Sequence, residues 1–356
     1  MGIALHKRKS SGSTLMTEGT IWKHILLFSI PLILGNMLQQ LYNTVDSIVV
    51  GNSLGSEALA AVGSSSSLIS LLISFSMGAA AGAGVIVSQF IGAQNKKGIH
   101  ESVHTALAIA LILGVVLTVL GITLSPQILR WMGTPDEVMP QSVIYLRLYF
   151  AGLLFSVLYN MASGILNAVG NSKRSLLYLA IASFTNIVLD LLFIPVLKMG
   201  IAGAAIATDI SQVLSAVLCM LYLMRVDESY KVALRKIRIH KEVAVRIIQV
   251  GVPTAIQNTV ISFANVLVQS SVNSYGAGFA AYIKIDGFNI LPVMSFSMAA
   301  TTFAGQNYGA GNIDRVRKGM NVTVAMGVIY CLCIGGILLL FSHPIIGVFS
   351  KDPTVI

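Results

Sequence analysis

Long apolar stretches recur along almost the whole chain, each interrupted only by Gly, Pro or a short polar and charged cluster. A hydrocarbon core about 30 Å thick takes roughly 20 apolar residues as a helix. The stretches predict nine such helices, near 21–45, 58–91, 101–123, 138–165, 174–196, 203–225, 243–273, 280–307 and 320–342. Their apolar residues run on without alternating with polar ones, which excludes a membrane β-barrel. Residues 1–16 are polar and basic without periodicity and read as a disordered leader, with Met16 a second candidate start.

The loops between these helices differ in charge. Lys7, Arg8, Lys9 and Lys23 precede the first helix, Lys96 and Lys97 follow the second, and Lys173 and Arg174 follow the fourth. Arg225, Lys231, Arg235, Lys236, Arg238, Lys241 and Arg246 follow the sixth, and Arg315, Arg317 and Lys318 follow the eighth. These are eighteen of the 23 basic residues; the opposite loops hold Arg130, Lys198 and Lys351, and Arg147 and Lys284 fall inside spans. The positive-inside rule places the N-terminus in the cytoplasm of a multi-pass protein of the cytoplasmic (inner) membrane.

A repeat emerges when the spans are aligned. Ile30-Pro31 in the first helix matches Val252-Pro253 in the seventh. The end of the second, Ser88-Gln89-Phe90-Ile91-Gly92-Ala93, matches the end of the eighth, Gly305-Gln306-Asn307-Tyr308-Gly309-Ala310. Six helices separate equivalent elements, so the copies share one orientation and form parallel repeats. The chain ends part-way through the second copy, which would need three more helices; the expectation is a fragment carrying nine of twelve.

Composition agrees with a lipid solvent: 55% of residues are hydrophobic and 10% charged, and the mean hydropathy is +0.81. The net charge of +9 is scattered between apolar spans, which disfavours a nucleic-acid partner. Cys219, Cys331 and Cys333 all lie in apolar segments without metal-ligand spacing and read as buried small hydrophobes. The histidines near predicted membrane edges, His24, His100, His104, His240 and His343, form no ligand cluster, and no cofactor is expected.

Ionisable groups cost on the order of 3 kcal/mol or more in lipid, so they face a cavity or a partner. Few such groups occur: Asp46 ends the first span, and Asp190, Asp209 and Asp286 lie in the fifth, sixth and eighth. Tyr42 and Asp46 lie four apart, as do Asn186 and Asp190, so each pair shares a helix face. Thr208 and Asn160 complete a polar set fit to bind a proton, or Na⁺ at Asp46 and Asp190; the alternative is that the Asp residues only bridge helices. Lys284 and Asp286 neutralise each other or line a second polar cavity. Pro31 and Pro253 mark hinges or plain kinks, Gly78 and Gly82 a close helix approach, and Met77, Met294 and Met298 an adaptable surface or ordinary lipid contact.

Together these residues resemble the multidrug and toxic compound extrusion (MATE) family. The likeness covers residues 17–356 and rests on Ser29-Ile30-Pro31 with Asp46, Gly92-Ala93, Asn186 through Asp190, Lys284-Ile285-Asp286 and Gly305-Gln306-Asn307. It implies an all-α polytopic membrane protein, a two-lobe helical bundle around a central cavity. The N-lobe would be 17–226, a basic cytoplasmic linker 227–242, and an incomplete C-lobe 243–356. It implies an antiporter, not an enzyme, that exports drugs or organic cationic metabolites against H⁺ or Na⁺ by alternating access. Its ion site would be Tyr42, Asp46, Asn160, Asn186, Asp190 and Thr208, with Pro31 as the responding bend; a position that is often Asn in the family is Ser163 here. A lipid-linked oligosaccharide flippase of the same superfamily is the alternative, disfavoured by spans holding only Arg147 and Lys284 as cations. A membrane enzyme is disfavoured because no His-Glu-x-x-His or Gly-x-Ser-x-Gly occurs on a span.

Overall fold

The computed structural model of the chain describes residues 14–272 and 277–341. Nine long helices follow one another: α1 (Ile21–Leu54), α2 (Ser56–Gly92), α3 (Lys96–Trp131), α4 (Met139–Ala168), α5 (Ser172–Leu191), α6 (Ile201–Arg225), α7 (Lys241–Val272), α8 (Ala277–Gly309) and α9 (Ile313–Leu340). All nine expected helices are present. Among the described residues, eight helical segments are long and apolar enough to cross a membrane.

α1 and α3 overrun the ends predicted for them, near 45 and 123. Gly51-Asn52-Ser53 does not stop α1, which continues to Leu54 and ends at Gly55 with φ +86°. Ser125-Pro126 does not stop α3: the Ser125 hydroxyl donates to the Gly121 carbonyl, and the helix runs on to Trp131. Pro195 does change the geometry of α5. Its missing N–H is accommodated by a wider π-type turn over Leu192–Val196, closed by Leu197 N–H donating to Leu192 O at 2.9 Å.

The centre of α1–α6 is α4, packed on α2, α3 and α6. One side of it buries Leu146, Phe150, Leu153, Val157, Met161 and Ile165 almost completely. The other three helices lean on this group: α7 lies along α2, α8 against both α1 and α2, and α9 on α8 and α1. If α1 corresponds to α7 and α2 to α8, the α1–α8 and α2–α7 contacts are equivalents of each other, as the sequence repeat requires.

Two segments outside the helices are tied down at the end of the bundle that carries the basic loops. Residues 226–240 contain one 3₁₀ turn (Leu234–Lys236) and dock on the start of α3. Ala233 N–H donates to His104 Nε2 at 3.1 Å, and His240 N–H to Thr105 Oγ1 at 3.1 Å. His100 stacks on His104 with ring centroids 4.0 Å apart. Among the described residues no His, Cys, Asp and Glu cluster suits a metal.

The second segment corrects the expectation of an unstructured leader through residue 16. Met16 is 1% exposed in a small core with Ile25, Phe28, Leu32, Ala299 and Phe303. Its N–H donates to Gln306 Oε1 at 2.9 Å, and its carbonyl accepts from Arg315 Nη2 at 3.0 Å. Arg315 also reaches the Gly19 carbonyl at 2.8 Å. Residues 14–20 thus form a strap across α8 and the start of α9. The cysteines correct a second expectation: Cys219 is buried, whereas Cys331 and Cys333 are exposed on α9. Trp22 and Trp131 are exposed near helix ends, as interfacial anchors should be.

Candidate ion-binding site and the junction of the halves

Three of the six residues singled out for an ion meet from three helices. Tyr42 on α1, Asn186 on α5 and Thr208 on α6 line one cavity of ≈ 10 Å³, with Ser183, Ser211, Gln212 and Ser215 among the other walls. That is near the least room that holds one water. Asp190, one turn beyond Asn186, is fully buried, and neither it nor Asp46 is among the residues lining this cavity. Asn160 is half-buried on α4 and is not among the residues lining this cavity. Ser163, one turn further on, points its hydroxyl at Ser175 of α5.

The polar atoms here are under-used. Both side-chain atoms of Asn186, both carboxylate oxygens of Asp190, Asp46 Oδ1, Ser183 Oγ and Gln212 Oε1 are buried without a hydrogen-bond partner among the described residues. Each such atom costs about 1–3 kcal/mol if nothing satisfies it. Carboxylate, amide and hydroxyl oxygens are the donor set that a hard cation takes, and the residues present fit such a cation or a proton.

Sequence reasoning missed the serines and Gln212. Ser183, Asn186 and Asp190 follow an i, i+3, i+7 pattern on α5, and Thr208, Ser211, Gln212 and Ser215 follow one on α6, so helical periodicity carried the signal. Asp209 belongs to the same neighbourhood. Its carboxylate packs on Gly152 of α4. The side chains of Lys284 and Asp286 lie outside the described residues.

Pro31 is buried in α1, where its ring withholds the hydrogen bond that Leu27 O would otherwise accept. Asp46 lies fifteen residues further on, about 22 Å along the helix.

The junction between α1–α6 and α7–α9 is built on glycine. A Cβ on Gly78 would strike the backbone of Ala255, and one on Gly82 the backbone of Gly251. Nearer the basic end, a Cβ on Gly92 would strike the Gln306 carbonyl, and one on Gly309 the Gln89 carbonyl. In the repeat Gly92 pairs with Gly309 and Gln89 with Gln306. The contacts are therefore reciprocal, as a two-fold axis between the halves demands. Polar contacts add to the seam: Asn36 Nδ2 donates to Ser295 Oγ at 3.0 Å, Arg246 Nη2 to Gln89 Oε1 at 3.2 Å, and Gln306 Nε2 to Ala168 O at 3.0 Å.

Residues 31–192 and 253–356 match the profile of the MatE family, well over half of the chain. The chain belongs to the MATE family. Members of this family are transporters, and the present protein is a multidrug-efflux-type transporter with multiple membrane-spanning helices. A probable multidrug resistance protein of Bacillus subtilis, YoeA, is 34% identical over 94% of this chain and 75% of its own length. A probable multidrug resistance protein of Thermotoga maritima, NorM, is 26% identical over 94% of this chain and 74% of its length. Among solved structures, a MOP-superfamily transporter of Pyrococcus furiosus superposes with a TM-score of 0.89 at 28% identity, covering 98% of this chain and 78% of that one. This MATE protein thus spans about three quarters of the length of these relatives.

Proposed function

We propose that this MATE protein is an antiporter that exports drugs or organic cationic metabolites across the cytoplasmic membrane, driven by H⁺ or Na⁺ entering at Asp46 and Asp190. The observation that carries this reading is the group of partnerless carboxylate, amide and hydroxyl atoms between α1, α5 and α6. A membrane protein keeps such atoms where a ligand completes them. Na⁺ would draw on Asp46, Asp190, Asn186, Thr208 and Tyr42, with Asn160 as a further candidate; a proton would instead be shared by the two carboxylates.

The lobes in this reading are 17–226 and 243–356, joined by the linker 227–242, with Lys284 and Asp286 as candidate C-lobe cavity residues. The charge asymmetry of the loops supports a cytoplasmic N-terminus. The glycine seam and the 14–20 strap then close the cytoplasmic side, and export requires both to part. Ion binding drives export only if ion and substrate favour different states, and Pro31 is the place where α1 can bend between them. Met77 on α2 and Met294 and Met298 on α8 are exposed on helices of the junction. Their flexible thioethers suit varied organic ligands.

The test is efflux of a fluorescent organic cation from vesicles under an imposed pH or Na⁺ gradient, with Asp46→Asn and Asp190→Asn at matched protein levels. Gradient-dependent efflux lost in both variants is the expected result. Efflux undiminished in both would remove the ion site from these residues.

A further inference from the structure

Away from the candidate ion site, a cavity of ≈ 830 Å³ opens at the basic end between the start of α1 and the start of α5. Lys23, His24, Lys173 and Arg174 line it, and no Asp or Glu does. The ion pairs among the described residues, Lys97–Glu101 and His240–Glu101, lie elsewhere and neutralise none of these cations. The cavity is built, not a chance gathering of surface lysines. Gly170, at φ +83°, lets Thr14 pass at backbone contact; Asn171, 4% exposed, holds Tyr222 Oη at 3.0 Å; and the Arg174 guanidinium lies 5.2 Å from the Tyr222 ring centroid.

Its other wall is apolar and continues into the membrane. Leu27 and Leu177 line the cavity and are 57% and 45% exposed. Beyond them Leu34 on α1, and Ile181 and Phe184 on α5, present further exposed apolar side chains at helical spacing. The site therefore joins a cationic headgroup-level cavity to a greasy track along two packed helices. Soluble anions have no use for the track, and a neutral lipid has none for the uncompensated charge.

We propose that this cavity is a binding site for an anionic phospholipid of the leaflet at the basic end, with its phosphate held by Lys23, Lys173 and Arg174 and its acyl chains along α1 and α5. Basic pockets between membrane helices at the headgroup level take lipid phosphates, and each basic side chain there contributes about fivefold in affinity. Because the strap residues Thr14 and Met16 also line the cavity, a bound lipid would buttress the strap as well.

Native mass spectrometry of the full chain, titrated with phosphatidylglycerol or phosphatidylcholine of the same acyl composition, tests this. Wild type should retain phosphatidylglycerol at least about tenfold better than phosphatidylcholine. The triple variant Lys23→Gln, Lys173→Gln, Arg174→Gln should lose that preference. A control triple, Arg235→Gln, Lys236→Gln, Arg238→Gln, should keep it, and Lys23→Arg with Lys173→Arg should keep it too, separating charge from any loss of folding. Equal phosphatidylglycerol retention in the cavity triple and wild type would overturn the site, as would equal loss in the control triple. Displacement of the lipid by millimolar glycerol phosphate would overturn the lipid assignment in favour of a soluble phosphate.

Discussion

Replacing Gly92 by Ala puts one methyl group into the tightest part of the seam. The new Cβ would overlap the Gln306 carbonyl, a backbone group that cannot rotate aside. The ends of α2 and α8 must therefore separate. Overpacking of this kind costs about 1–3 kcal/mol. An alanine also favours helix by about 1 kcal/mol over glycine, but in both conformations, so that gain cancels from their balance. The clash acts only on the conformation in which the seam is closed, so the equilibrium shifts toward the open one by roughly 5- to 150-fold. The reporter is Ser295→Cys, a near-isosteric change at a fully buried lobe contact, in a background where Cys219, Cys331 and Cys333 are Ser. Its maleimide labelling rate should rise at least about fivefold in Gly92→Ala. The comparison is Gly335→Ala, the same chemical change on α9 where a Cβ meets nothing within 4 Å. Equal labelling rates in the two variants would refute the reasoning.

Two more outcomes follow from the polar ties. Gln306→Leu leaves both Met16 N–H and Ala168 O without their partner, which should cost about 1–3 kcal/mol per group and appear as faster proteolysis within residues 14–20; an unchanged cleavage rate would deny the strap its anchor. His104→Ala removes the acceptor of Ala233 N–H and the stacking partner of His100, so amide exchange in residues 226–240 should quicken about fivefold or more while the α4 core stays protected.

The helices were legible in the sequence because lipid demands long apolar runs, and nothing else in a chain of this composition produces them. Their ends were not. Gly51-Asn52-Ser53 and Ser125-Pro126 are turn signals in water, where freed backbone groups find solvent. In the bundle the same residues stay helical, the Ser125 hydroxyl bonding the Gly121 carbonyl one turn back. The candidate-site faces of Tyr42/Asp46 and Asn186/Asp190 were readable as four-residue spacings. The serines beside them were not singled out, since a serine in a membrane helix ordinarily bonds its own backbone, as Ser211 does to Ala207 O. Whether Asn160 faces that cavity depends on how α4 is rotated, and packing of Val157, Met161 and Ile165 sets that rotation, not the polarity of Asn160. The strap had no periodic signal at all: its place is fixed by Gln306 and Arg315, some 290 residues away.

That clasp has a practical side for anyone handling the molecule. Arg315 grips the Met16 and Gly19 carbonyls beneath α8, so the region just ahead of α1 is a working part and a poor place for an affinity tag or a fluorescent fusion. Cargo attached there would pull on the clasp, and a purified sample would then report a strap position set by the handle. The exposed connection between α3 and α4, at Gly133 where nothing crowds the backbone, is the safer point of attachment.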